Sequence, residues 1–292
     1  MTARLIVNPT AGNGKAQHLF EAIAPYLAHE DVDVVQTTHP GHATELAREM
    51  AEREDITVIS LGGDGTHHEV INGLMPSAKP VFAVLPAGTG NDFVRLLSYP
   101  KSPRDMLETA LRGTEMRIDI GQVNSEYFLT VSGVGFDAEV AGWVNQHEKH
   151  GNGTWIFLRG ILRHLVHYQS ADMSIHVGDA VRSEKTFLLA LGNSPYYAGG
   201  MLMCPSAAAD DGLFQVVWVR DLARLSVLPL LVRVFRGAHL AHPAVQTFEA
   251  SQLSVDGPAH MLVHADGEIV GHLPVTFTIH PRAIRVRRGN AQ

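Results

Sequence analysis

Three glycine-rich turns carry the residues of this chain whose types and spacing can do chemistry. The first, Asn8-Pro9-Thr10-Ala11-Gly12-Asn13-Gly14-Lys15, follows the first expected strand, over 4–7. The second, Gly62-Gly63-Asp64-Gly65-Thr66 with Glu69 close behind, ends a run over 56–61, and the third, Gly88-Thr89-Gly90-Asn91-Asp92-Phe93, ends a run over 81–85. β-Branched residues and Leu dominate these runs, as in strands buried on both faces. Because glycine lacks a Cβ, Gly62, Gly63 and Gly65 can take positive φ and bring several backbone N–H groups to one anion. Thr66 is then expected to cap a helix starting near His67, whose positive end points back into the turn. The chemistry this predicts is phosphate binding. Asp64 is the exception, since a carboxylate inside an anion-binding turn repels phosphate unless a cation, a proton or a hydroxyl lies between them.

Two familiar nucleotide signatures fail on residues. Pro9 stands where a P-loop needs its first glycine and Ala16 replaces its Ser or Thr, while Phe93 occupies the third glycine position of a dinucleotide fingerprint. What remains is triphosphate binding by turn amides, aided by Thr66, Thr89 and Asn91. The elements that must position these turns alternate between strand and helix as far as about residue 120, with helices expected over 16–27 and 43–53 and a second strand over 32–36. That alternation predicts a parallel α/β sheet, in which such turns gather at the carboxyl ends of the strands. Beyond Asp119 the pattern changes to period-two stretches at 127–131, 187–191, 214–219 and 275–279, which predict an antiparallel sandwich. At 292 residues the chain exceeds the usual single-domain size. A division into 1–122 and 123–292 is expected, with the last residues returning to the first domain.

The order and spacing of Asn8-Pro9 with Gly12, Gly14 and Lys15, then Gly62 to Thr66 with Glu69, then Gly88 to Phe93, resemble the diacylglycerol-kinase catalytic family. Bacterial soluble lipid kinases and sphingosine and ceramide kinases share this catalytic fold. The Gly-Gly-Asp-Gly-Thr element alone is less specific, since NAD kinases and phosphofructokinases carry versions of it. The resemblance spans nearly the whole chain, because Asp210-Asp211-Gly212-Leu213 and Asp266-Gly267-Glu268 also fall where the bacterial members have their counterparts. It implies an NAD kinase/phosphofructokinase-like parallel-sheet domain followed by a mainly antiparallel β-sandwich domain, with ATP and Mg²⁺ as cofactors. The nucleotide contacts it implies are Asn8, Thr38, Gly62, Gly63, Asp64, Gly65, Thr66, Glu69, Gly88, Thr89, Gly90, Asn91 and Asp92. Asp64 and Asp92 would position metal and phosphate, Glu268 would be the general base with Asp266 as the competing choice, and Asp211 with the carbonyls of Ala208 and Leu213 would hold a metal remote from ATP. Read from residues alone, Asp266-Gly267 is a hairpin turn and Asp211-Gly212 a simple turn. The chain departs from the family at His68, where an Asn or Gln is common, and at Gln215, where many relatives have Asp.

A formal charge of −7 argues against broad nucleic-acid binding but leaves room for a local basic patch that docks on anionic lipid. The single cysteine, Cys204, excludes an internal disulfide and fits a reducing cytoplasm, and the N-terminus has no apolar signal core. Apolar, Arg-containing helical stretches at 155–168 and 222–240 fall short of the ~20 uninterrupted apolar residues of a spanning helix. They read either as core helices or as peripheral membrane contacts. The pairs His67/His68, His147/His150 and His164/His167 lack the spacing of a zinc protease and are expected as surface or capping residues. Three functions remain in competition: an ATP-dependent kinase for a lipid hydroxyl such as that of diacylglycerol, an NAD kinase-like phosphotransferase, and a non-catalytic nucleotide- or lipid-binding regulator. A lipid at a membrane surface is the expected partner, and a homodimer is a further expectation.

Overall fold

The structure, a computed structural model, describes residues 2–75, 77–147 and 153–289; His150 of the histidine pairs lies outside the described residues. The chain forms two compact units, one of residues 1–118 with 282–292 and the other of residues 119–281.

The first unit alternates strand and helix: β1 (Thr2–Val7), α1 (Lys15–Leu27), β2 (Val32–Gln36), α2 (His42–Arg48), β3 (Ile56–Gly62), α3 (Asp64–Leu74), β4 (Val81–Pro86), α4 (Asp92–Leu97) and α5 (Pro103–Arg112), then the start of β5 (Thr114–Val123). Its strands pair in parallel in the order β4-β3-β1-β2, and Arg285 and Val286 from the chain's last strand extend the sheet beside Val81 and Phe82. All seven residues of β3 are buried, as its β-branched and Leu-rich sequence calls for, with Thr57 and Ser60 buried among them. The chain runs from β1 outward to β2 and then crosses to β3 on the other side of β1. This reversal makes a crevice at the carboxyl ends of β1 and β3, where Asn8 and Gly62 lie.

The second unit continues β5 with β6 (Glu126–Phe128), β7 (Val131–Gly135), α6 (Phe136–His147), α7 (Gly153–Leu165), β8 (Ala171–Val177), β9 (Ala180–Gly192), the two-residue β10 (Tyr196–Tyr197) and β11 (Met201–Leu202), and β12 (Phe214–Arg220). After α8 (Arg224–Val234) come β13 (Val245–Ala250), β14 (Gln252–Asp256), β15 (Leu262–Ala265), β16 (Glu268–His272) and β17 (Val275–Arg288). The strand pairs of this unit are antiparallel. Alternate residues of β9 and β12 enter different cores: Leu189, Leu191, Val216 and Trp218 pack with Phe128 and Phe277, whereas Leu188, Ala190, Val217 and Val219 pack against α6, α7 and α8. Burial on both faces is why 214–219 reads as a nearly continuous apolar run.

Several local expectations are corrected. The helix expected over 43–53 ends at Arg48, where tighter turns (Met50 N to Ala47 O, Ala51 N to Arg48 O) draw Met50 and Ala51 into the core. The strand expected over 127–131 is split, because the amides of Leu129 and Thr130 bond a carboxylate instead of a neighbouring strand. His67 and His68 are buried, not superficial, and His67 Nδ1 lies 2.8 Å from Ser60 Oγ on β3.

Candidate functional site

In the first unit the three glycine turns meet through contacts that only glycine permits. A Cβ on Gly12, whose φ is +62°, would fall 1.9 Å from the carbonyl oxygen of Ala87, and one on Gly88 would fall 2.8 Å from the Cα of Gly63. At the second turn the reason for glycine is close approach. Gly63 is extended (φ −97°), neither Gly62 nor Gly65 is among the positive-φ glycines, and a Cβ on Gly62 would meet Thr66 Oγ1 at 2.4 Å. Positive φ occurs instead at Gly12, Gly14, Gly41 and Asn91. We expect Gly88→Ala to lower the unfolding free energy by roughly 1–3 kcal/mol, the usual cost of overpacking, read from its urea midpoint.

Side chains complete the junction. Thr66 lies inside α3, which starts at Asp64 with Gly63 as its uncapped N-cap, so Thr66 is not a capping residue. It is buried, and its Oγ1 accepts from Asn8 Nδ2 at 3.0 Å, while Asn8 Oδ1 accepts from the N–H and the hydroxyl of Thr10. Asp64 reaches across to the third turn, where Oδ2 accepts from the N–H of Asn91 (2.8 Å) and Oδ1 from that of Asp92 (3.0 Å). Two backbone donors at the start of α4 therefore face the negative charge that seemed out of place in a phosphate turn. One turn further along α3, Glu69 does the same for α2: its oxygens accept from the N–H groups of Gly41 and Ala43 at 3.1 and 3.2 Å. Asp92 is buried and lies 3.6 Å from the Arg95 guanidinium, whereas Thr89 is exposed. Thr38 is exposed in the loop before α2, where its N–H and hydroxyl both lie 3.1 Å from His42 Nδ1.

The second unit holds two acidic loops. Asp266 and Gly267 have φ of +51° and +91°, forming the two-residue turn of the β15–β16 hairpin. The Asp266 carboxylate accepts from the N–H of Leu129 (2.8 Å), the N–H of Thr130 (2.7 Å) and the Thr130 hydroxyl (2.6 Å). Glu268 next to it is exposed, and its Oε2 accepts from Asn145 Nδ2 at 3.0 Å. In the other loop Asp211 Oδ1 accepts from the N–H of Leu213 (2.9 Å), and the loop folds around Asp119, whose Oδ2 accepts from the Gly212 N–H (2.7 Å) and whose own N–H donates to Ala209 O (2.7 Å).

The second unit also holds an apolar pocket, partly open to solvent, lined by Phe136, Phe157, Phe187, Met201 and Leu230 among others. His239 closes part of its wall. Burial pushes the pKa of this imidazole down, against the opposing effect of its bond to the Met203 carbonyl.

Residues 2–123 match the Diacylglycerol kinase catalytic domain, and residues 130–288 match the YegS C-terminal NAD kinase beta sandwich-like domain. A diacylglycerol kinase of Bacillus subtilis is 32% identical over 292 residues, covering 97% of this chain and 95% of its own length. One from Staphylococcus saprophyticus is 31% identical over 283 residues, covering 94% and 91%. The chain belongs to the diacylglycerol kinase family. A crystal structure of a diacylglycerol kinase from Bacillus anthracis shares the fold, with a TM-score of 0.73 at 22% identity over 98% of this chain and 96% of that one.

Membership makes this chain an ATP-dependent phosphotransferase acting on a lipid hydroxyl, and ATP its phosphoryl donor. The mixed α/β architecture expected from the sequence is present. Asn8, Gly62–Thr66, Gly88, Asn91 and Asp92 of this kinase meet at one junction, while Thr38 belongs to the α2 loop that Glu69 holds in shape. Two residues escaped the sequence reading. Asp119 is fully buried at the centre of the Asp211 loop, and its signal was a lone carboxylate between Ile118 and Ile120 in a strand. Asn145 left no signal, since a polar residue on a helix surface is ordinary.

Proposed function

We propose that this kinase transfers the γ-phosphoryl group of ATP to the hydroxyl of diacylglycerol or a closely related lipid, with the first unit's glycine junction as donor site and Glu268 as general base. The observation that carries the donor-site assignment is Asn91 Oδ1, a buried acceptor with no hydrogen-bond partner among the described residues, at a junction where added Cβ atoms would collide. An acceptor left unpaired at the mouth of such a turn fits a donor that arrives with the nucleotide, a hydroxyl, an amine or a bound water, beside the phosphates held by the turn amides. Asn8, Thr66, Thr89 and the amides of Gly62–Gly65 and Gly88–Gly90 are assigned to the phosphates, with Thr38 and Glu69 shaping the nucleotide side. In-line transfer needs the hydroxyl held and its proton taken. Glu268 suits the second role because it is exposed, whereas the carboxylate of Asp266 is taken up by the N–H groups of Leu129 and Thr130 and the Thr130 hydroxyl.

Mg²⁺ is assigned to the phosphates and to the Asp211 loop, where it would supply charge neutralisation. The loop's donor set fits a hard cation: carboxylates of Asp211 and of buried Asp119, with backbone carbonyls at Ala208 and Leu213.

The lipid side has two supports. The cavity offers apolar surface to an acyl chain, and the helices around it present apolar residues outward: Leu225 is 84% exposed and Val232 70%, with Leu162, Val166 and Phe235 also exposed. Although the chain is acidic overall, residues 153–168 and 222–240 contain five Arg and neither Asp nor Glu. Among the described residues no helix is long and apolar enough to cross a membrane. We therefore assign these faces to peripheral docking on an anionic bilayer at the cytoplasmic side. Replacing Leu225 and Val232 together by Glu is expected to weaken partition onto anionic vesicles roughly tenfold or more, measured by co-sedimentation.

The function is tested by offering γ-labelled ATP and Mg²⁺ with diacylglycerol vesicles, with NAD, and with neither. Label in the lipid fraction supports the assignment. NADP formation without labelled lipid, or lipid binding without transfer, overturns it.

A further inference from the structure

The turn that carries Glu268 is gripped from two sides, and one of these grips leads back to the lipid cavity. Asn145, exposed on α6, donates through Nδ2 to the carbonyl of Gly267 and to Glu268 Oε2, both at 3.0 Å. Opposite, His264 is fully buried: its Nδ1 lies 3.3 Å from the Gly267 N–H and its Nε2 lies 3.1 Å from Asp137 Oδ2. Because Nδ1 accepts the Gly267 N–H, the imidazole proton sits on Nε2 and is donated to Asp137. Gly133 leaves space for this pair, since a Cβ there would lie 2.1 Å from Asp137 Oδ2 and 2.9 Å from His264 Nε2. Asp137 and Tyr197 belong to the cavity lining, and the Tyr197 ring stacks on His264 with centroids 5.4 Å apart. Asp137 is also in the first turn of α6, the helix that carries Asn145.

We propose that Asn145 and the His264–Asp137 pair are positioning residues for Glu268, and that through Asp137 and Tyr197 the pair couples the filling of the acyl cavity to the orientation of the base. The inference rests on Glu268 being the base. Asn145 fixes the rotamer of an otherwise exposed carboxylate, and His264 fixes the peptide immediately before it. An acyl chain seated against Asp137 and Tyr197 presses on the wall that holds the imidazole. A base displaced by about 1 Å is enough to cost two orders of magnitude in rate.

The test is steady-state kinetics with diacylglycerol in phosphatidylcholine vesicles, comparing Asn145→Ala, His264→Asn, His264→Gln and Glu268→Gln. Asn145→Ala, a surface change, is expected to lower kcat roughly ten- to a hundredfold with the KM for ATP within about twofold of wild type. In His264→Asn the side-chain oxygen replaces Nδ1 as acceptor for Gly267. His264→Gln instead keeps the donor toward Asp137 and loses that acceptor. The Asn variant is therefore expected to retain the higher kcat even if the Gln variant melts higher, an ordering that a purely structural role for the pair would reverse. Asn145→Ala with wild-type kcat while Glu268→Gln is inactive overturns the positioning role alone. Full turnover in Glu268→Gln overturns the base assignment beneath it.

Discussion

Glu268→Gln is expected to lower lipid phosphorylation by about 10²–10⁴-fold while ATP binding persists. General-base catalysis contributes rate factors of that size, equivalent to roughly 3–5 kcal/mol of transition-state stabilisation. Gln keeps the shape of the side chain and can still accept from Asn145, but it cannot take the hydroxyl proton. Its position on an exposed strand end makes a folding defect an unsuitable explanation for any loss, because surface changes of this kind shift stability by only about 0.5 kcal/mol. The measurement is turnover of labelled ATP into lipid, paired with calorimetric titration of ATP into the same protein. Asp266→Asn serves as the contrast: its carboxylate takes three donors from Leu129 and Thr130, so its loss acts on the stability of the hairpin as well as on rate.

Asp64→Ala is expected to affect stability and activity together. The carboxylate joins the second glycine turn to the third through two N–H groups at the start of α4, in a partly buried setting. Removing it leaves both donors without their acceptor and deletes a negative charge from a helix N-terminus, at a combined cost of roughly 2–5 kcal/mol. The denaturation midpoint should fall accordingly, and the calorimetric signal for ATP should weaken because the third turn is no longer held against the second. Asp64→Asn, which retains one acceptor oxygen, should recover part of the stability. Wild-type stability in the Ala variant would show that the clasp contributes nothing to the fold.

The donor junction was readable in the sequence because strands buried on both faces are dominated by β-branched residues and Leu, so the glycine clusters at 62–65 and 88–90 stand out as strand ends. What glycine does at those ends was not readable. Steric space for a neighbouring group leaves the same composition as positive φ, and space is what glycine provides here, for Thr66 at Gly62 and for Gly88 at Gly63. Thr66 looked like a cap because a Thr following glycines before a helix usually is one; its actual partner, Asn8, lies 58 residues away in sequence. The break between β6 and β7 depends on a carboxylate more than a hundred residues later, and no local pattern encodes such a pairing. The burial of His67 leaves no local signal, because its partner Ser60 comes from the neighbouring strand β3. At Asp266-Gly267 the residue-based reading and the family resemblance were both informative: the dipeptide makes the hairpin, and the hairpin presents Glu268.

The most direct test is a crystal structure of the Glu268→Gln protein with Mg²⁺ and a non-hydrolysable ATP analogue. The β- and γ-phosphate oxygens are expected against the N–H groups of the turns at Gly62–Gly65 and Gly88–Gly90, with Asn91 Oδ1 paired to a ligand hydroxyl or amine or to a bound water, and Asp64 still bonded to the N–H groups of Asn91 and Asp92. An analogue lodged elsewhere, with those turns unchanged and Asn91 Oδ1 still unpaired, would contradict the account.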